Sequence, residues 1–298
     1  MITRFGKRFI TSYLAGLNSF SKQDLAIGIA DNTDYALADT NSRLGFEFYR
    51  LPADFASIDI QTQSNGTSTY AVIYQTTLPQ DMAGIISEIG IYPGSRTSKN
   101  NFDDKILSDF ENNLLWTQST SPYGYADIIS SPSVSPFPRI GNALIPITAT
   151  SSQTKEYIAT IANLDISGYS ANDTIVLAYN QEDTNLSSIK IKFYSSDTDY
   201  FYTTITGAAT TGNKISNIMF STLLSSGTPN LDSIYKIGIS ATAKSSGTTK
   251  INLEGLRIND EDTFDPSYGL ISRSVLSTPL VKVSGRPSDI EYRMEITF

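Results

Sequence analysis

The chain has 298 residues, of which 40% are hydrophobic and 17% charged; it carries a net charge of −8 and contains neither cysteine nor histidine. That length gives room for roughly two ordinary domains, and the low charge with 11% aromatics excludes a disordered chain. The missing residue types remove disulfides, thiolate nucleophiles, Cys/His zinc sites and the imidazole base of Ser-His-Asp chemistry, while the acidic balance, with no Lys/Arg cluster to release counterions from phosphates, excludes nucleic acid and the membrane surface as partners.

Residues 2–17 read as the single convincing helix. Ile2, Phe5, Phe9, Ile10, Tyr13, Leu14 and Leu17 recur at steps of three and four, with Arg4, Lys7, Arg8, Thr11 and Ser12 on the other side. This helix either packs on a sheet or docks on a partner. The same stretch has no uninterrupted apolar core and reads as no signal peptide; no apolar run in the chain approaches the ~20 residues that span a bilayer.

Strand signals follow: "LAIGIAD" (25–31), "RLGFEFYRLP" (43–52), "TYAVIYQTTLP" (69–79) and "AGIISEIGIYP" (83–93), with Gly, Pro, Asn and Asp between them. In the last of these, Ile86, Glu88, Gly90 and Tyr92 share one face. Glu88 therefore sits among apolar neighbours and needs donors or a cation. Arg43, Arg50 and the basic side of the helix lie in the same segment. With no second acid or metal cluster beside it, Glu88 reads as a structural anchor.

From residue 104 the character changes. "ILSDFENNLLWTQ" (106–118) and a Ser/Pro-rich loop (130–142) precede eight short strands, from "LIPITAT" (144–150) to "TKINLEGLRI" (249–258), spaced as in a β-sandwich. The chain ends on "DIEYRMEITF", which places Ile290, Tyr292, Met294, Ile296 and Phe298 on one face of a half-buried antiparallel strand. That strand needs a sheet, and the sandwich is already complete before it. Residues 104–264 carry 10 Lys and Arg against 16 Asp and Glu, and the remainder 12 against 14. The expectation is a mainly β protein: an antiparallel β-domain with one N-terminal amphipathic helix, formed by 1–103 and 265–298, interrupted by a jelly-roll sandwich at 104–264.

The middle segment resembles the carbohydrate-binding-module jelly rolls in Phe110-Glu111 with Trp116, in Gly141 to Leu144, in "LDISGYSANDTIVLAY", and in Glu254-Gly255-Leu256 with Ile258. The resemblance implies a candidate structural calcium held by Glu111 and Glu254, although the family's usual last-strand acid is Asp. The other reading of both residues is surface or turn carboxylates. It also implies sugar contact through exposed aromatic rings, for which Trp116, Tyr194, Tyr200 and Tyr202 are the candidates; the other reading of these is core or interface rings. "DTDYFYTTI" puts three aromatics in succession, so at least one faces outward if it is a strand. Asp260, Glu261, Asp262 and Asp265 lack the spacing of a calcium loop and read as a solvated linker.

The outer segments, in the early helix, "GFEFYR" and "AGIISEIGIYPG", look like the baseplate-attaching domain of phage tail-collar fibre proteins. "RLGFEFYRLP", "TTLPQDMAGIISEIGIYP" and "NDEDTFDPSYGLISRSVLSTP" more closely resemble virion structural proteins of marine myoviruses, cyanophages especially. The resemblance implies a non-enzymatic virion protein, assembled in the host cytoplasm and associated with tail or baseplate. Its partners would be other virion proteins, further copies of itself and a host surface glycan. A capsid decoration or head-fibre protein is the alternative, and a polysaccharide-degrading adhesin a second one. The last needs two carboxylates across a glycosidic bond, and no such pair is identifiable among residues that fall mainly in turns and at strand ends.

Overall fold

The computed structural model describes residues 1–16, 23–30, 43–62, 66, 68–93, 105–119, 124–130, 138–259 and 269–297. Leu17, Phe298 and the acidic run at 260–265 lie outside the described residues. The fold is mainly β with one N-terminal helix and antiparallel sheets. The chain divides into two compact units, Met1–Thr97 with Asp262–Phe298, and Ser98–Glu261.

The first unit starts with α1 (Arg4–Leu14), then β1 (Gln23–Ile29), β2 (Phe46–Thr62), β3 (Ser68–Leu78) and β4 (Gly84–Pro93). Thr3 caps α1, its hydroxyl accepting from Gly6 N at 3.0 Å. The helix buries Gly6 and Phe9. A Cβ at Gly6 would strike the Ile271 carbonyl, so this position requires glycine for close approach. Tyr13 and Leu14, which the periodicity places on the packing face, are exposed, so only the N-terminal turns of the helix dock.

The second unit contributes β5 (Lys105–Ser108), β6 (Trp116–Gln118), β7 (Ile129–Ser130), β8 (Ala143–Ala149), β9 (Thr154–Leu164), β10 (Thr174–Gln181), β11 (Leu186–Tyr194), β12 (Tyr200–Thr206), β13 (Gly212–Met219), β14 (Leu224–Ser226), β15 (Ile234–Ala243) and β16 (Thr249–Asn259). One sheet runs β13-β10-β16-β8-β7, with β5 beside β16; the other runs β14-β12-β11-β15-β9-β6. Period-two alternation drives their packing. Ile175, Leu177, Leu253 and Ile258 of the first sheet share a core with Ile189, Ile191, Phe193, Ile237 and Ile239 of the second, each at most 1% exposed. Each such side chain contributes roughly 1.5–3 kcal/mol by leaving water.

The chain then returns to the first unit with β17 (Ser272–Lys282) and β18 (Ser288–Thr297), giving a sheet ordered β17-β4-β1-β2-β3-β18. Ile290, Tyr292 and Met294 point inward from β18 and are 4–7% exposed. The strand that begins with "GFEFYR" runs ten residues beyond Pro52, to Thr62. Its pairing with β1 stops at Ala53, so residues 54–62, β3 and β18 form a three-stranded arm. Phe55, Ile58 and Ile60 stand on this arm 57–61% exposed.

Candidate functional site: a tyrosine and lysine face on the sandwich

The outer face of the sheet β14-β12-β11-β15-β9-β6 carries the densest set of chemically useful side chains. In β12, Phe201 and Ile205 pack against the core, so Tyr200, Tyr202 and Thr204 face outward. In β11, Ile189, Ile191 and Phe193 are core residues, leaving Lys190, Lys192 and Tyr194 on the outer side. The register sets Tyr194 opposite Tyr200, Lys192 opposite Tyr202 and Lys190 opposite Thr204.

These groups form a row. The Tyr194 and Tyr200 ring centroids are 5.0 Å apart and inclined at 50°; Tyr200 and Tyr202 are 5.9 Å apart at 57°. Lys192 Nζ lies 5.1 Å from the Tyr200 centroid and donates to Glu156 Oε1 at 2.8 Å. The Tyr194 hydroxyl donates to the same oxygen at 3.2 Å. Burial opposes the charge on Lys192, but its bonds to Glu156 and Tyr194 outweigh that and hold the ammonium above its ordinary range. Burial, with the Glu156 charge, holds the Tyr194 phenol up, so it remains a neutral donor. Gly238 on β15 makes this possible: a Cβ there would meet Tyr194 Cε2 at 2.9 Å and Glu156 Oε1 at 3.0 Å.

Beyond this row, Lys190 Nζ sits 4.7 Å from the Tyr202 centroid. Lys236 donates to Asp197 Oδ1 at 2.5 Å, and the Tyr235 hydroxyl donates to the same oxygen at 2.7 Å. The Asp197 carboxyl is held below its usual range, first by the Lys236 hydrogen bond. The face therefore offers ring surface, hydroxyls and ammonium groups. This is the chemistry of sugar contact, in which rings meet C–H faces and fixed polar groups meet hydroxyls.

Of the four candidate aromatics, three fall in this row and one does not. Tyr200 and Tyr202 are half-buried and accessible. Tyr194 is only 7% exposed because it lies across Gly238; it supports the row rather than presenting a platform. Trp116 is 2% exposed and packs on Phe110 at 5.0 Å inside the core, so its reading as an exposed platform is corrected. The register explains this: Trp116 pairs with Ala159, whose side chain faces the core. Lys190, Lys192, Glu156 and Gly238 were not singled out from the sequence. The period-two phrase "SIKIKFY" carries the signal for the two lysines, since it separates Lys190, Lys192 and Tyr194 from Ile189, Ile191 and Phe193.

Glu88 is fully buried. Its carboxylate accepts from Gly45 N at 2.5 Å, from Arg273 Nε at 2.7 Å and from Arg273 on a second nitrogen at 2.6 Å. The forked guanidinium comes from β17, and β17 pairs with β4. Glu254 is equally buried and receives Arg139 Nε at 2.5 Å. Glu111 instead accepts from Asn142 N. The two carboxylates expected to share a calcium thus have separate protein partners, and among the described residues no group of three or more Asp or Glu side chains is placed to hold a metal. In the first unit, Asp54, Gln75, Thr76, Thr77 and Asp289 line a polar cavity of about 460 Å³. Both acids there are solvent-exposed.

No protein-family model matches the sequence, and comparison with curated proteins finds no match. Solved structures that match include a family 11 carbohydrate-binding module of a cellulosomal cellulase of Clostridium thermocellum, at 17% identity over 53% of this chain and 94% of that one, with a TM-score of 0.37. The structure of PfGH50B matches at 10% identity over 48% of this chain, with a TM-score of 0.34; the chain spans only 23% of its length. The enzymatically active domain of tailspike protein 4 of bacteriophage CBA120 matches at 15% identity over 55% of this chain and 20% of that one, with a TM-score of 0.30. At such TM-scores these likenesses say nothing of ligand or activity.

Proposed function

We propose that the chain is a non-enzymatic structural protein of a bacteriophage virion, associated with tail or baseplate, that docks through its first unit and displays the sandwich for contact with a host surface glycan. What carries the contact half of this reading is the accessible Tyr200–Tyr202 row, held in place by Lys192, Glu156 and Gly238. Rings immobilised before the ligand arrives lose less entropy on binding. Repetition in a particle turns weak single contacts into avidity. The virion half rests on the sequence resemblance of the outer segments. The exposed Phe55, Ile58 and Ile60 supply the apolar surface that contacts between copies or with other virion proteins would use.

The test is cryo-electron microscopy of the intact particle with this chain traced in it. Density at the tail or baseplate with the Tyr200 face outward supports the proposal. Density on the capsid lattice would make it a decoration protein instead. Absence from the particle would sink the virion reading. Sustained release of reducing ends from a polysaccharide, lost on mutation of Asp54 or Asp289, would turn the reading to the degrading adhesin.

A further inference from the structure

We infer that the tyrosine and lysine face takes an acidic polysaccharide as a single extended chain, with the sugar ring on Tyr202 and its carboxylate or sulfate on Lys190. The inference rests on the glycan reading of this face and sharpens it to a ligand class. Three observations carry it.

The first is how the lysines are distributed. The sandwich segment is acidic, with 10 cationic against 16 anionic side chains over residues 104–264. Yet Lys190 and Lys192 on β11 and Lys236 on β15 crowd one face of one sheet, where the strands supply Glu156 alone as a carboxylate. With Lys192 paired to Glu156 and Lys236 to Asp197, these groups leave a surplus of one cation on a face of an otherwise acidic segment.

The second is what each lysine already holds. Lys192 is bound to Glu156 at 2.8 Å and Lys236 to Asp197 at 2.5 Å. Among the described residues no carboxylate pairs with Lys190; its partner is the Tyr202 ring. Its ammonium keeps donors for an incoming oxyanion while the ring beneath fixes its position. A sugar acid that packs against the edge and hydroxyl of Tyr202 brings its anionic group to that donor, and a charge-assisted hydrogen bond is about twice as strong as a neutral one. The net charge of −8 opposes a polyanion only weakly, because charges beyond about 8 Å are screened at physiological salt.

The third is the tilt of the rings. Interplanar angles of 50° and 57° leave no coplanar platform for the flat surface of a crystalline polymer. A single chain can follow the turned rings and meet their edges and hydroxyls.

The test measures binding of the intact chain to polygalacturonate, to the same polymer fully methyl-esterified, and to a sulfated galactan, by affinity electrophoresis and calorimetry. Lys190→Gln and Tyr202→Ala are compared with the unsubstituted chain. The expected result is binding to one or both polyanions, weakened by added salt. Lys190→Gln then weakens it about tenfold, the size of one lost charge-assisted contact, and Tyr202→Ala weakens it further. Methyl esterification should cost as much as Lys190→Gln, and the two should not add. Equal binding to the ester, or binding insensitive to Lys190→Gln but lost in Tyr202→Ala, overturns the acidic ligand and leaves a neutral glycan on this face. Binding of none of these polymers, with the thermal transition intact, overturns both readings.

Discussion

Replacing Arg139 with methionine isolates the most heavily buried charge in the sandwich. Glu254 is fully buried, and Arg139 Nε lies 2.5 Å from its Oε2. Burial already holds the Glu254 carboxyl above its ordinary value of 4.5, against the pull of Arg139. A carboxyl raised in the folded state contributes stability that is present at acid pH and is lost as pH rises through the folded value. Without Arg139 the folded value rises further, and the cheapest response is protonation. The stability lost with the pair therefore grows as pH rises above the ordinary carboxyl range. Broken buried pairs lose about 3–5 kcal/mol in general. The assay is urea unfolding followed by fluorescence of Trp116, the chain's single tryptophan, buried in the same sandwich. Arg139→Met should lose about 3–5 kcal/mol at pH 8 and clearly less at pH 6. Adding Glu254→Gln should restore most of the loss and remove its pH dependence. A loss below about 1 kcal/mol at pH 8, or the same loss at both pH values, would refute the reasoning.

Three further outcomes follow from the packing. Trp116→Ala should destabilise the sandwich by about 3–5 kcal/mol in circular-dichroism melts, yet leave the proposed glycan binding unchanged in the folded protein, because the ring faces the core. Gly6→Ala should release α1 from Ile271, raising proteolytic cleavage within residues 1–14 while the sheet stays protected from hydrogen exchange. Lys282→Met should cost about 1–3 kcal/mol in denaturant unfolding, because its ammonium donates to the carbonyls of Met82, Val283 and Arg286 at 2.7–3.0 Å in a buried site.

Much of the architecture is legible in local pattern. Alternation in "DIEYRMEITF" assigns Ile290, Tyr292 and Met294 to the inner side of β18, and they are buried there. The three- and four-residue steps of the first segment make a helix, since a side-chain period of 3.6 is a property of the local backbone. The need of Glu88 for donors is equally local, because a carboxylate among isoleucines cannot stay unpaired.

What the sequence alone determines, then, is periodicity and obligation: which stretches are strands, which residues share a face, and which buried charges demand partners. Only the tertiary structure decides which face is inside and which partner answers. Glu88 accepts from the guanidinium of Arg273, 185 positions away, which nothing in its local sequence indicates. Trp116 and Tyr202 are both aromatics on strands of one sheet, yet the register of β6 on β9 turns the first into the core, and that of β12 on β11 turns the second to solvent. Shifting a strand by one residue exchanges its faces, and that register is fixed by pairing with strands far along the chain, which no local pattern contains.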